Sequence, residues 1–354
     1  MSQLQELSDA YIRLLASDPN TCVAIGLNEN LDKLPDPSLE NLERQRQQAA
    51  SLREQAELLS QTLSDFNEQL DAKLIALMAS QLELSIGLTF NGRLETQQLP
   101  DAGEKISGGI FYLVINDPRP AADRLDNILA RLQHVPDFLE KMLKRLDTPV
   151  ARWVTIELET IEGLPDFFST ILSWAREEHY PQIDELEHAV DSACSALTRY
   201  SESLARLSTT TAFSIGPEKA QALVDSNGIE LSLAQIHEIA CDFVKRTREQ
   251  IEELRQSLVA KYNLAASTTA SELQEFLAQQ HAVKVTDNNF EQVIERYQSV
   301  AQELERFVTE RSLFPVPEQQ AMKIMQTPPF MAPMIPAGAM MPPPAMRDGI
   351  RTSL

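Results

Sequence analysis

His237 and Cys241 stand four residues apart. On a helix that spacing puts an imidazole and a thiol on one face. With Glu238 beside them a zinc site can be written down. It lacks a third and fourth ligand at any recognisable spacing, and Glu238 projects about 100° away from His237 around the helix axis. Zinc needs a closed set of three or four ligands, so the pair is expected to pack, not to bind metal. The other histidines, His134, His179, His188 and His281, form no HxH, HxxxH or HExxH pair. "REEHYPQIDELEH" (Arg176–His188) gathers more candidates: Glu178 with Glu185, and His188 with Asp184. Acid clusters are common in an acidic chain, and no burial is legible here that would raise their pKa values. Cys22, in "DPNTCVAIGL", has no basic or histidine neighbour to favour a thiolate and reads as a small core residue. GxSxG, GxxxxGK and GxGxxG are all absent. No residue is assigned a catalytic, cofactor-binding or metal-binding role.

The elements that would position such residues are helices. Only 11 of 354 residues are glycine, and Leu, Ala, Glu and Gln favour helix by propensity. Ser232 is a fitting N-cap for a stripe through Ile236, Ala240, Phe243, Thr247, Ile251, Leu254 and Leu258. A second stripe runs Phe290, Val293, Tyr297, Val300, Leu304 and Phe307, with Asn288 or Asn289 to cap it. Further helices are predicted over 2–16, 38–64, 68–88, 121–146, 150–176 and 181–207. Ser38, after "LPDP", caps the second of these, and Pro136 is expected to kink or divide the fourth. "GGIFYLVI" (Gly108–Ile115) has strand-like composition, but its length fits a strand or the start of a helix. Trp153 and Trp174 fall at apolar helix positions and read as core. The fold class is all-α: an irregular multi-helix bundle with no repeat at fixed period.

Charge and cysteine count narrow the setting. The balance of 52 acidic and 31 basic residues gives −21, which repels phosphate backbones and argues against nucleic acid. No stretch reaches the roughly 20 apolar residues that span a bilayer, so no membrane partner is expected. Cys22, Cys194 and Cys241 are odd in number and widely spaced, unlike a secreted disulfide framework. Reduced thiols and the cytoplasm follow as expectations. "ENLERQRQQAASLREQ" is charged enough to bind a partner helix, though a solvated face is the simpler reading.

The composition changes after Phe314. Residues 315–344 hold nine prolines, and seven of the ten methionines fall between Met322 and Met346. Proline excludes helix here, and methionine fills irregular gaps. The expectation is a helical domain over 1–314, then an extended Pro/Met-rich segment over 315–354 packed against a body of protein. Phe330, Met331, Met334, Ile335, Met340 and Met341 would form an apolar patch on it.

Several stretches together resemble the bacterial proteins grouped as domain of unknown function 885. "SDPNTCVAIGLNENLDKLPDPS" is similar to the family's opening, through Pro19, Val23, Ala24, Gly26, Leu34, Pro35, Asp36 and Ser38. "LQHVPDFLEKMLKRL" and "FSIGPEKAQALVDSNGIELSLAQIHEIACDFVKRTREQIEEL" resemble later segments, with Ala220 departing where tyrosine or a similar residue is usual. "LFPVPEQQAMKIMQTPPFMAPMIPAGAMMPPP" looks like a link to a second half. The resemblance implies a helical zinc metallopeptidase, a hydrolase of peptides, whose His-Glu and Pro-Gly-His metal signature lies in that second half. His237-Glu238 is followed by Ile-Ala-Cys and inherits no such role. The expectation is therefore an N-terminal helical half, truncated before the metal site and inactive alone, with zinc implied only for the intact family. Two alternatives stay open. One is a split peptidase whose partner chain, or missing half, docks on 315–354. The other is a non-enzymatic helical interaction protein.

Overall fold

The structure is a computed structural model that describes residues 2–90, 92–115, 117–282, 290–316, 324–327, 338, 340 and 344–346. Its helices are α1 (Gln3–Ala16), α2 (Pro19–Ile25), α3 (Leu39–Thr62), α4 (Phe66–Ile86), α5 (Glu95–Gln98), α6 (Ala102–Ile115) and α7 (Ala121–Arg145). Then follow α8 (Ala151–Glu162), α9 (Leu164–Glu177), α10 (Ile183–Leu204), α11 (Gly216–Ser226), α12 (Leu233–Lys261), α13 (Ala270–Gln280) and α14 (Phe290–Arg311). The one described sheet is a hairpin, β1 (Thr89–Phe90) against β2 (Arg93–Leu94), antiparallel with Thr89 opposite Leu94. The chain is thus all-α in the sense the composition predicts. The proposed Asn288 or Asn289 cap and most of the Pro/Met segment lie outside the described residues.

Contacts gather the helices into two compact units, one built on Met1–Lys219 and one on Ala220–Glu318. The division falls inside the helical region expected over 1–314. In the first unit, α1, α3 and α4 pack through small side chains: Ala49, Ala56, Ala76 and Ala79 meet Leu7, Leu14, Leu52 and Ile75. Alanine at the contact lets helix axes approach closely. The larger core is organised by α7. Its Leu125, Ile128, Leu132, Val135, Leu139 and Met142 recur every three or four residues and are all buried, facing α10 through Leu186, Ala189, Ala193, Leu197 and Leu204.

Three points of the sequence reading meet the structure here, and each outcome has a physical cause. Gly108–Ile115 is helix, the last two turns of α6, because Ile106, Ile110 and Leu113 are buried on several sides at once. A helix buried all round shows an apolar run instead of a one-sided stripe. The helix expected over 150–176 is two, broken at Gly163, since Pro165 in the first turn of α9 has no N–H to continue α8. Pro136 does the reverse: α7 runs unbroken through it. Burial of Val135, Phe138, Leu139 and Met142 around it outweighs the ~3 kcal/mol a helical proline costs.

The long-range clasp of the first unit is Arg131 on α7, a side chain with no solvent exposure. Its guanidinium donates to the carbonyl of Leu31 (2.6 Å), to Asn20 Oδ1 (2.7 Å) and to the carbonyl of Pro19 (3.2 Å). Desolvation pulls its pKa down to about 10, partly offset by Asp18 and Asp32, so it remains charged at neutral pH. The residues it grips belong to α2, capped by Asp18, opened by Pro19 and closed by Gly26 at φ 86°. That positive φ suits glycine. Gly109 on α6 completes the arrangement: a Cβ there would sit 2.1 Å from Arg131 Nη1 and 2.2 Å from Asn20 Oδ1.

Gly109→Ala is therefore expected to destabilise the first unit by ~3 kcal/mol, a fall of roughly 6–12 °C in thermal midpoint. Gly108→Ala, with nothing within 4 Å of its added methyl, is expected to be neutral or to stabilise by up to ~1 kcal/mol through helix propensity. Thermal unfolding of both variants by circular dichroism measures the contrast, and equal midpoints would remove the clasp from the account.

Candidate functional site

The His237–Cys241 pair lies where the sequence places it. α12 begins at Ser232, whose side chain accepts from the Gln235 N–H while Gln235 answers the Ser232 N–H, a capping box. The helix then sets His237 Nε2 3.5 Å from Cys241 Sγ. Both side chains are exposed, together with Glu238. Among the described residues no group of three or more His, Cys, Asp or Glu is close enough to hold a metal ion. His134, His179, His188 and His281 are also exposed, and of these His281 meets the Tyr262 hydroxyl at 3.1 Å.

The Arg176–His188 stretch is not one site. Glu178 accepts from Trp174 Nε1 (3.3 Å), and Arg176 pairs with Glu187 (2.6 Å). Asp184 and Glu185 sit in the first turn of α10, where acids complement the helix dipole. Glu178, His179, Asp184, Glu185 and His188 all face solvent. Its buried members are Leu186 and Tyr180; the Tyr180 hydroxyl donates to Asp126 at 2.6 Å and is held un-ionised by desolvation and that carboxylate. Cys22 is fully buried, its thiol 3.4 Å from the Ala16 carbonyl, and burial raises its pKa. It is a core residue. Trp153 and Trp174 are half-buried: Trp153 meets Phe90 edge-on at 5.2 Å, and Arg124 lies 4.7 Å above the Trp174 ring.

Two features escaped the sequence. The first is a buried polar cluster to which α6, α7, α8, α10 and the connection before α6 supply residues. Glu157 on α8, 3% exposed, accepts from the Gly103 N–H at 2.9 Å at the start of α6, and Ala102 adds a second backbone donor. Burial raises its pKa to about 7, and Asp101 and Glu104 push the same way. Beside it Arg145 donates to Asp101 (2.6 Å) and to the Leu99 carbonyl (3.0 Å). The Tyr200 hydroxyl lies within electrostatic reach of Glu157 without a hydrogen bond of standard geometry, and burial raises its pKa too. Gly103 and Glu157 are 54 residues apart in sequence, so no local signal marks them. The cluster stitches helices together, and none of the described cavities reaches it.

The second feature is surface. α12 and α14 carry the apolar stripes the sequence shows, yet α12 buries Val259 alone and α14 buries nothing. Phe243 is 63% exposed and Leu254 58%. α12 finds cover chiefly from α13, through Leu273, the Tyr262–Phe276 edge contact, and the Arg255 guanidinium on the Thr268 carbonyl. One short helix covers only part of a 29-residue stripe. In the first unit, α4 carries a similar ridge: Phe66, Leu70, Leu74 and Met78, spaced by four along one side, are all exposed.

The pH dependence of Glu157 follows from its environment. A carboxyl whose folded pKa lies above its unfolded value binds more protons when folded. Its contribution to stability is therefore complete below about pH 4.5 and is lost as pH rises through about 7. The span corresponds to on the order of 3 kcal/mol. Glu157→Gln keeps an acceptor for the Gly103 N–H and removes the titration. The expected result is a flatter stability profile between those pH values, with the variant gaining on the wild type at pH 8; parallel thermal-unfolding profiles would contradict it.

With this geometry in view, comparisons with known proteins place the chain. No curated protein matches it. Among solved structures it is similar to a protein of unknown function from Shewanella oneidensis, described as a lipoprotein, with TM-score 0.65 and 16% identity. The likeness covers 90% of this chain and 59% of that one, so this chain spans under two thirds of the longer structure's length. At that identity the likeness shows the fold. The family profile of the "Bacterial protein of unknown function (DUF885)" matches residues 19–353, and the chain belongs to that family.

Proposed function

We propose that this chain is the helical scaffold of a metallopeptidase-like protein, docking a further polypeptide segment that supplies the zinc ligands and performs hydrolysis. The observation that carries the reading is the α4 ridge of Phe66, Leu70, Leu74 and Met78, open to solvent on the helix that supplies Ile75, Ala76 and Ala79 to the smaller core. A run of large apolar side chains along one surface marks a protein contact. In peptidases of this chemistry, histidines hold zinc while a glutamate activates water against a peptide carbonyl. Here His237 and Glu238 point about 100° apart on one helix and take neither role. The span of 59% of the Shewanella structure supports the same division, with the scaffold in the shared part.

The docked segment also runs along 315–354 in this reading. Of those residues, Pro344 is buried and the Met346 N–H donates to the Ile25 carbonyl at 2.7 Å, satisfying a carbonyl at the C-terminus of α2. The compartment is the cytoplasm, where the three free cysteines stay reduced. The described helices include none long and apolar enough to cross a membrane.

Two measurements test the proposal. The purified chain, dialysed against zinc and examined by elemental analysis, is expected to retain far less than one zinc per chain and to cut no peptide. Stoichiometric zinc with hydrolysis overturns the reading. The DNA downstream of the coding sequence, in frame or as the next gene, is expected to encode the His-Glu and Pro-Gly-His signature. Co-expression of that polypeptide should give a zinc-containing complex that Leu70→Glu with Leu74→Glu disrupts, while those exposed substitutions shift the scaffold's own stability by no more than about 0.5 kcal/mol. A complex indifferent to both removes the ridge from the interface.

A further inference from the structure

Four reactive or charged side chains of α12 fall on one narrow face. Around the helix axis His237 and Lys245 lie about 40° to either side of Cys241, and Arg248 lies about 20° from it. All four are exposed and line the same shallow groove, with Glu249 the acid at its edge. Cys241 Sγ is 3.5 Å from His237 Nε2, so a thiol and a base are in contact. Among the described residues Lys245 and Arg248 make no ion pair. Of the other acids, Glu238 and Asp242 project about 60° and 100° away from Cys241. Glu252, farther along the face, is held by Arg255 at 2.6 Å. The other two thiols are placed the opposite way. Burial pushes both Cys22 and Cys194 up from the ordinary thiol value, and acids near each add to the rise.

We propose that Cys241 is a site of reversible S-thiolation. It exchanges with a small anionic disulfide, His237 takes the thiol proton, and Lys245 and Arg248 receive the carboxylates of the incoming molecule. The step balances without a further reagent. The Cys241 proton passes to Nε2 of the neutral imidazole, whose own proton is then on Nδ1. The freed thiolate attacks one sulfur of the disulfide, a new S–S bond forms, and the old one breaks. The departing sulfur takes the proton back from the imidazolium and leaves as a thiol. Cys241 is oxidised, and the incoming disulfide is the oxidant. A second small thiol reverses the reaction, so the modification is transient in a reducing compartment. Anionic reagents are selected because the cations stand one and two turns along from the sulfur, on a chain whose charge of −21 otherwise repels such molecules. Arginine in particular suits a carboxylate, which its planar fork can bind through two hydrogen bonds.

The test uses the full chain, reduced and free of metal, so its outcome is independent of the scaffold reading. It is treated with glutathione disulfide, which is anionic, or cystamine, which is cationic. Intact mass follows the rate and peptide mapping locates the product. Attachment is expected at Cys241 ahead of Cys194, with Cys22 untouched while the chain is folded. His237→Ala should slow exchange with both reagents roughly tenfold. Lys245→Glu with Arg248→Glu should lower the ratio of the glutathione to the cystamine rate by about tenfold or more, with the circular dichroism spectrum unchanged. In the wild type that ratio should fall as salt is raised. Modification chiefly at Cys194 overturns the proposal, as does a rate indifferent to His237 or a ratio indifferent to the charge reversal. A covalent dimer through Cys241, formed in place of the mixed disulfide, overturns it too.

Discussion

A guanidinium keeps its charge inside a protein, so a buried arginine dictates where acceptors must be. Arg131 imposes that condition on the first unit. It reaches back a hundred residues or more to Pro19, Asn20 and Leu31, fixing α2 and the loop after it against α7. Gly109 is the space that condition requires on α6. Three helices are thereby tied at one point, and the apolar contacts of Cys22, Val23, Ile106, Ile110 and Leu132 close around it. The short α2, only seven residues, is held by this polar clasp as much as by its own caps. Removing one partner would leave a desolvated charge, which is the expensive way to break such a contact.

Much of this fold was legible, and the reason is local. The span of α7, the Ser38 and Ser232 caps and the extent of α10 each depend on residues within a few turns, so period and capping chemistry reveal them. What was hidden depends on partners far along the chain. Glu157 looked like one more glutamate among 52 acidic residues, because its burial is decided by Gly103, Ala102 and Tyr200. Arg131 gave no sign of burial for the same reason. α6 was ambiguous because a helix covered on several sides loses the one-sided pattern by which helices are recognised. As for the candidate site, the His237–Cys241 proximity was read correctly from spacing. The Arg176–His188 acids were correctly seen as solvated, and the Asp126–Tyr180 contact between them and α7 was not seen at all.

The α12 and α14 stripes teach a different lesson. Periodicity reports that a helix has an apolar side; it does not say what lies against it. On α7 that side meets α10. On α12 the same kind of stripe meets α13 over part of its length and water over the rest. Each large side chain left open forgoes roughly 1.5–3 kcal/mol of burial, and α12 and α14 leave several. The helices hold their form by other means: the capping box at Ser232, the Glu252–Arg255 pair at 2.6 Å, and the second box at Thr269 that starts α13.

That distribution bears on where function resides. The histidines and acid clusters that this chain's sequence singles out are solvated and scattered, and its buried Glu157 carboxyl serves to start a helix. Its unspent free energy lies instead in three exposed apolar surfaces, on α4, α12 and α14. Apolar area gives affinity but little choice of partner; charge at its border supplies the choice. The α4 ridge has Asp71 on one side and Lys73 on the other, a mixed border that favours no single sign. With no dominant sign at its border, the α4 ridge suits the kind of partner proposed for it, one recognised by shape and not by charge.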